Sequence, residues 1–270
     1  MVEQTNEKYY GFTSDLIFEW VMEDDENSLQ ILRAILPELN IVKIHRPETQ
    51  HEIKFPDQQR GVQFDVLIED DKHRLYEVEM QVENNEDIGK RLRYYQSTLD
   101  AEALIKGTVG FSTLKETYVI CLCAFDPFKK GKRRYVIRDH DDEDLTTEID
   151  TGATKVVVNA KGTHGKITRD LEAIINVMNE QPDPSNRLAQ RLRREIDVYN
   201  RDHERRRKLM NYEMRLQEKW ENGVKVGVAK GMTDGTFRTV TKLVKTMKGA
   251  GKNDKEIFDL AHEISRPPRK

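Results

Sequence analysis

The chain has 270 residues, 37% hydrophobic and 34% charged, with a formal net charge of −3. That length can bury a substantial core as one large domain or one domain plus a tail. The near-neutral balance excludes a molecule that gathers nucleic acid by bulk charge, so any such affinity must come from a local basic surface.

No segment approaches the roughly 18 consecutive apolar residues of a membrane span. Residues 1–8 lack the apolar core of a signal peptide, and a cytoplasmic protein is expected. Ser14 is the expected N-cap of a short helix through Met22, and Asn27 or Ser28 opens a second that runs to Leu36 before Pro37. Leu29, Leu32, Ile35 and Leu36 give the second helix its apolar face. A short strand at 41–45 precedes Pro47. Two longer runs, 61–68 and 75–82, flank a polar turn at 69–74 and read as a hairpin. A helix is expected over 86–106, with Leu92, Tyr95, Leu99 and Ala103 at helical spacing and Gly107 as its stop. Strands at 117–124 and 133–138 flank a turn-like 126–131 segment. Val156, Val157 and Val158 add a further strand, and 165–178 is an amphipathic helix. The acidic loop 141–144 lacks the glycine and alternating ligands of a calcium site and reads as solvated. This order of elements predicts an α/β sandwich around a mixed sheet.

Pro182-Asp183-Pro184 marks a boundary, giving a domain over 1–182, a charged helical extension over 183–235 and a C-terminal helical segment over 236–270 with a disordered end. One long helix is expected over 186–220, seamed by Leu188, Leu192, Ile196 and Tyr199. It either folds back on the core or forms a dimer contact, which leaves a homo-oligomer through the C-terminal helices open. The run Arg205-Arg206-Arg207-Lys208 either touches phosphates or is a solvated helix face. Gly223, Gly227, Gly231 and Gly235 recur every fourth residue, a smooth stripe on a partly frayed helix that costs about 0.8–1 kcal/mol per glycine relative to alanine. A last helix is expected at 254–265. Cys121 and Cys123, two apart in an apolar strand, read as buried reduced thiols. The 7 histidines show no zinc-type spacing.

The hairpin carries the chemistry. Side chains alternate faces along a strand, so Val62, Phe64, Val66 and Ile68 share an apolar face, as do Tyr76, Val78, Met80 and Val82. Centred near Lys72, the hairpin brings Asp65 opposite Glu79 and Gln63 opposite Gln81. A two-residue slip pairs Asp65 with Glu77 instead, still on one face, whereas a one-residue slip buries the acids. Opposed carboxylates cost roughly 0.2–1 kcal/mol when exposed, and about 4 kcal/mol at ~4 Å and an effective dielectric near 20. A divalent cation reverses that sign. Two carboxylates, a main-chain carbonyl and waters suit Mg²⁺ or Mn²⁺. The alternative is a solvated antiparallel face with no ion.

Asp65 followed by Glu79-Met80-Gln81 resembles the catalytic core of the PD-(D/E)XK nuclease superfamily. The helix start Asp15-Leu16-Ile17-Phe18, the helix segment Arg93-Tyr94-Tyr95-Gln96-Ser97, the strand 118–123 and Phe125-Asp126-Pro127-Phe128 follow in an order that resembles the Rpn-type recombination-promoting nucleases, or PD-(D/E)XK family transposases. The resemblance covers residues 10–235 and departs from the superfamily pattern at Gln81, where lysine is usual. It implies a restriction-endonuclease-like sandwich and a Mg²⁺- or Mn²⁺-dependent DNA endonuclease linked to recombination or mobile elements. Asp65 and Glu79 then hold the ion, and Gln81 completes the catalytic set. Asp15, Glu77 and Gln96 are accessory candidates, with Glu77 at the rim. Asp15 has a rival role at its helix start, and Tyr95 reads first as a core residue.

Gln81 can orient a water but supplies no charge, so the missing cation must come from the metal or from a neighbour such as Arg91 or Arg93. Two other classes stay open: a nuclease-fold protein that binds DNA or a partner without turnover, and an oligomeric scaffold whose charged tail is the working part.

Overall fold

The computed structural model describes residues 8–47, 52–53, 62–63, 65–105 and 110–249. Two helices open it, α1 (Asp15–Glu23) and α2 (Asp25–Ile35). Ser14 stands at the first N-cap without a side-chain bond. The second cap is Asp24, whose carboxylate accepts from Asn27 N–H. The helix therefore begins earlier than its Asn27 or Ser28 signal suggests, because an Asp accepts the same orphan N–H bond. Asn27 and Ser28 are instead fully buried, and Ser28 Oγ donates to Met22 O.

Six strands form the main sheet: β1 (Ile44–His45), β4 (Val66–Asp70), β5 (Leu75–Gln81), β6 (Thr117–Cys123), β7 (Arg134–Ile137) and β8 (Ala153–Asn159), in the order β1-β4-β5-β6-β8-β7. The β4–β5 hairpin is antiparallel, whereas β5, β6 and β8 run parallel. A parallel neighbour needs a crossover, and α3 (Ile88–Ile105) supplies the one from β5 to β6. A second, two-stranded sheet pairs β2 (Glu52–Ile53) with β3 (Val62–Gln63). The run expected as one strand over 61–68 thus divides at a bend on Asp65, and Gln63 pairs with Glu52 rather than Gln81.

Both faces of the sheet are covered. Leu67, Val119, Cys121 and Cys123 pack with Ile88, Leu92 and Leu99 of α3. Tyr76, Val78, Ile120 and Leu122, which point the other way, are fully buried as well. Val82, placed in that apolar set from the sequence, lies beyond the strand and is exposed. The helices α1, α2, α4 (Arg169–Met178) and α5 (Arg187–Arg201) pack on one another as a further layer. The result is the expected α/β sandwich. The two cysteines are buried free thiols.

The turn after β4 is not simply solvated. Asp70 is fully buried and receives Arg74 at 2.6 Å and Tyr76 Oη at 2.8 Å. Burial pulls its carboxyl up, but the bonds from Arg74 win and hold it below the usual carboxylate range.

The chain divides into two compact units, Met1–Arg205 and Arg206–Lys270. The first continues past the boundary expected at residues 182–184, because α5 buries Leu188, Ala189, Leu192 and Ile196 in it. The long helix expected over 186–220 is interrupted: Asp202 ends α5 in an extended conformation, and its carboxylate accepts Arg205 N–H as α6 (His203–Gly249) begins. Arg205 lies 4.0 Å from the Tyr199 ring centre and 5.1 Å from that of Trp20, so the first member of the basic run is a packing residue. The helix α6 runs unbroken through Gly223 and Gly227, where an added Cβ would meet nothing within 4 Å. The terminal helix expected at 254–265 lies outside the described residues.

Candidate active site

Register builds the site. Val66 pairs with Val78 and Leu67 with Glu77, so the next position places Asp65 opposite Glu79. The register of β4 against β5 is the one expected from the alternation as far as Val66, where the ladder ends, and not the slip that would pair Asp65 with Glu77. At Asp65 the strand bends away, and its Oδ2 accepts Met80 N–H at 3.2 Å, where a ladder partner would otherwise stand. The N–H and C=O of one strand residue point to the same edge. Met80 C=O therefore opens toward Asp65 too, next to Gln81 Nε2 at 3.2 Å.

Glu79 is almost fully buried. Three donors converge on its Oε1: Tyr95 Oη at 2.6 Å, Gln81 Nε2 at 3.0 Å and Arg91 Nη2 at 3.1 Å. Arg91 also donates to Tyr95 Oη at 3.1 Å. Spacing explains the convergence, because Arg91 and Tyr95 lie one helical turn apart on the face of α3 that covers β5. The second oxygen, Oε2, is buried and takes none of these three donors, and the Glu77 carboxyl hydrogen-bonds with Glu79. A carboxylate held this way has a fixed rotamer. Tyr95 is therefore a site residue rather than a core residue alone, and burial beside Glu79 drives its phenol far above its ordinary range.

Glu77 is not at the rim. It is fully buried, and its carboxyl lies against that of Glu79 with no other donor reaching it. Burial pushes its carboxyl well above the usual range, and the charge of the adjacent Glu79 and a side-chain hydrogen bond with it add to this. The acids are buried without any register slip because a helix, rather than water, lies over their face. Asp65 is open to solvent on one side. Crowding of its carboxyl by protein, and then the charge of Glu79, raise it to about 7, with smaller contributions from Asp15 and Glu19 of α1. Asp15 thus lies within electrostatic reach of Asp65. Glu19 was missed, although it lies one turn from Asp15 on the same helix face.

Gln96 lies elsewhere. Its Nε2 donates to Thr117 Oγ1 at 2.6 Å and Asp100 Oδ1 at 3.0 Å. Thr117 starts β6 beside Leu75, at the end of the sheet opposite Gln81. Arg93 is exposed, and it is Arg91 whose guanidinium reaches Glu79. No cluster of three or more His, Cys, Asp or Glu side chains with metal-binding geometry occurs among the described residues.

The family model for PD-(D/E)XK nuclease family transposase matches residues 13–227. No curated protein and no solved structure matches the chain.

Proposed function

We propose that this chain, which belongs to the PD-(D/E)XK nuclease family transposases, is a divalent-metal-dependent DNA endonuclease acting in recombination or mobile-element movement. The family carries a restriction-endonuclease-like fold, and the mixed sheet with flanking helices is that fold. The observation that supports activity is the asymmetry of Glu79, with one oxygen taking three donors and the other buried without them, and its charge acting on the Asp65 carboxyl. Two carboxylates and the Met80 carbonyl are hard oxygen donors that fit Mg²⁺ or Mn²⁺. The missing third acidic ligand is consistent with an ion that keeps several waters.

Asp65 and Glu79 would hold the ion, with Met80 O as the main-chain ligand. When bound, it supplies Lewis-acid polarisation of the phosphate and acidification of a water. Tyr95 and Arg91 fix Glu79, and Arg91 supplies the positive charge that lysine provides in the superfamily pattern. Gln81 turns its amide nitrogen toward Glu79 and Met80. Its amide oxygen can then accept a hydrogen bond from the attacking water and orient it. Glu77, buried against Glu79, acts on it from behind.

The replacement of lysine by Gln81 favours a second reading, a DNA- or partner-binding protein on the nuclease scaffold. The two are separated by plasmid nicking across Mg²⁺, Mn²⁺ and chelator, with Glu79→Ala beside wild type. Endonuclease activity requires metal-dependent nicking that Glu79→Ala abolishes. Equal background in both proteins gives the binding reading.

A further inference from the structure

The parallel strands β5, β6 and β8 end side by side, with Gln81 next to Cys123 and Cys123 next to Asn159. The acidic site therefore lies at the carboxyl end of the parallel strands, where open α/β sheets bind their ligands. Two loops leave the same end, residues 124–133 after β6 and 160–168 after β8. The second carries Lys161 and Lys166 and no acid, and the first carries Asp126 as its sole acid.

These loops form one rigid piece. Thr163 N–H and His164 N–H both donate to Gly131 O, and Arg133 N–H donates to His164 O. Asn159 Nδ2 donates to Lys132 O at 3.1 Å from the end of β8. At Gly162 a Cβ would fall 2.6 Å from Arg133 Cα, an approach that glycine alone allows. The backbones of the two loops thus approach closely enough to hold their side chains on a common frame.

Several of the cations there are already paired: Lys129 with Glu86, Arg133 with Glu172 and Arg134 with Glu38. Lys130, Lys132, Lys161 and Lys166 are exposed and have no carboxylate partner among the described residues. Lys161 meets the neutral Asn179, and Lys132 lies over the Tyr135 ring. An uncompensated cluster of this kind on a chain of net charge −3 is the local basic surface that nucleic-acid binding requires. Two strand spacings separate Gln81 from Asn159, roughly 10 Å, or about three base steps of B-form DNA.

We infer that the interlocked loops carrying Lys130, Lys132, Lys161 and Lys166 form a ledge that grips the DNA backbone a few phosphates away from the acidic site. The inference rests on the nuclease reading for its substrate, while the ledge itself is a binding surface that works without turnover. It positions the duplex and carries no sequence preference, because lysines on phosphate read charge rather than bases.

The test is fluorescence anisotropy of a short labelled DNA duplex with the full chain in chelator, as a function of salt. Lys130→Gln/Lys161→Gln is compared with Lys43→Gln/Lys72→Gln, which removes the same charge near the opposite end of β5. Each phosphate that the protein ceases to neutralise lowers the slope of log affinity against log salt by about 0.9. The ledge pair should lower it by about 1.8, and the control pair should leave it unchanged. An unchanged slope for the ledge pair, an equal drop for both pairs, or no DNA binding by wild type overturns the inference. If the ledge pair fails to fold, the single variants replace it, each with an expected drop of about 0.9. Glu79-dependent nicking with an unchanged slope retires the ledge and keeps the nuclease. A lowered slope without nicking keeps the ledge and retires the nuclease.

Discussion

Replacing Arg91 by methionine keeps most of the stem and removes the charge. Its Nη2 lies 3.1 Å from Glu79 Oε1, with the Arg91 side chain 31% exposed and that of Glu79 6%. A hydrogen bond to a charged group contributes about 1.5–3 kcal/mol, and removing one partner of a fully buried pair costs about 3–5 kcal/mol. Water reaches Arg91, so the lower part of that span applies, about 2–3 kcal/mol. For a unit of this size each kcal/mol shifts the unfolding midpoint by about 2–4 °C, so Arg91→Met should unfold roughly 4–12 °C below wild type in chelator. Most of that loss is the cost of leaving Glu79 charged among neutral donors. In a Glu79→Gln background the same change should therefore cost less than about 1 kcal/mol, a coupling of at least about 1–2 kcal/mol in a double-mutant cycle. Thermal unfolding of the four proteins with chelator present measures it. Equal losses in both backgrounds would show that Arg91 does not stabilise the Glu79 charge, and its role as the cation of the site would fall.

Gln81→Ala should lower metal-dependent nicking by about 10²–10³ if Gln81 positions the attacking water, while leaving Mg²⁺ affinity nearly intact. A rate equal to wild type removes Gln81 from the catalytic set. The carboxyl of Asp65 is raised in the folded state to about 7. The folded chain then binds its proton more tightly than the unfolded chain, so this group's contribution to apo stability is present in acid and lost as pH rises toward about 7. In urea unfolding with chelator, the difference between wild type and Asp65→Asn should favour Asn progressively across that window, and parallel curves refute the shift. Mg²⁺ should raise the unfolding midpoint of wild type at about pH 8 and do so less for Asp65→Asn. On α6, Gly223→Ala and Gly227→Ala should each add about 0.8–1 kcal/mol of helix stability, since nothing lies within 4 Å of the new Cβ. Loss of helix signal by circular dichroism would show that another backbone occupies the stripe.

The sequence by itself determined the alternation of the hairpin strands and, to within a two-residue slip, their register. Asp65 stands across from Glu79 by continuation of the register in which Val66 faces Val78, and a period of two excludes the one-residue slips but leaves the two-residue slip open. It also determined which residue types stand at the site and that Gln81 lacks a charge. Only the tertiary structure decided what covers the acids. The amphipathic pattern of α3 shows that it packs, but not against which sheet face. Its placement over β5 buries Glu77, turns Tyr95 and Arg91 onto Glu79, and sends Gln96 to Thr117 instead. The same holds at Asp65, where a side-chain bond to Met80 N–H replaces the ladder. It holds as well for α5, whose apolar seam the sequence shows without saying that the first compact unit buries it. Local periodicity fixes which side chains share a face, because it depends only on backbone geometry. Which partner that face meets depends on residues far apart in the chain, and a sequence read one window at a time does not contain them.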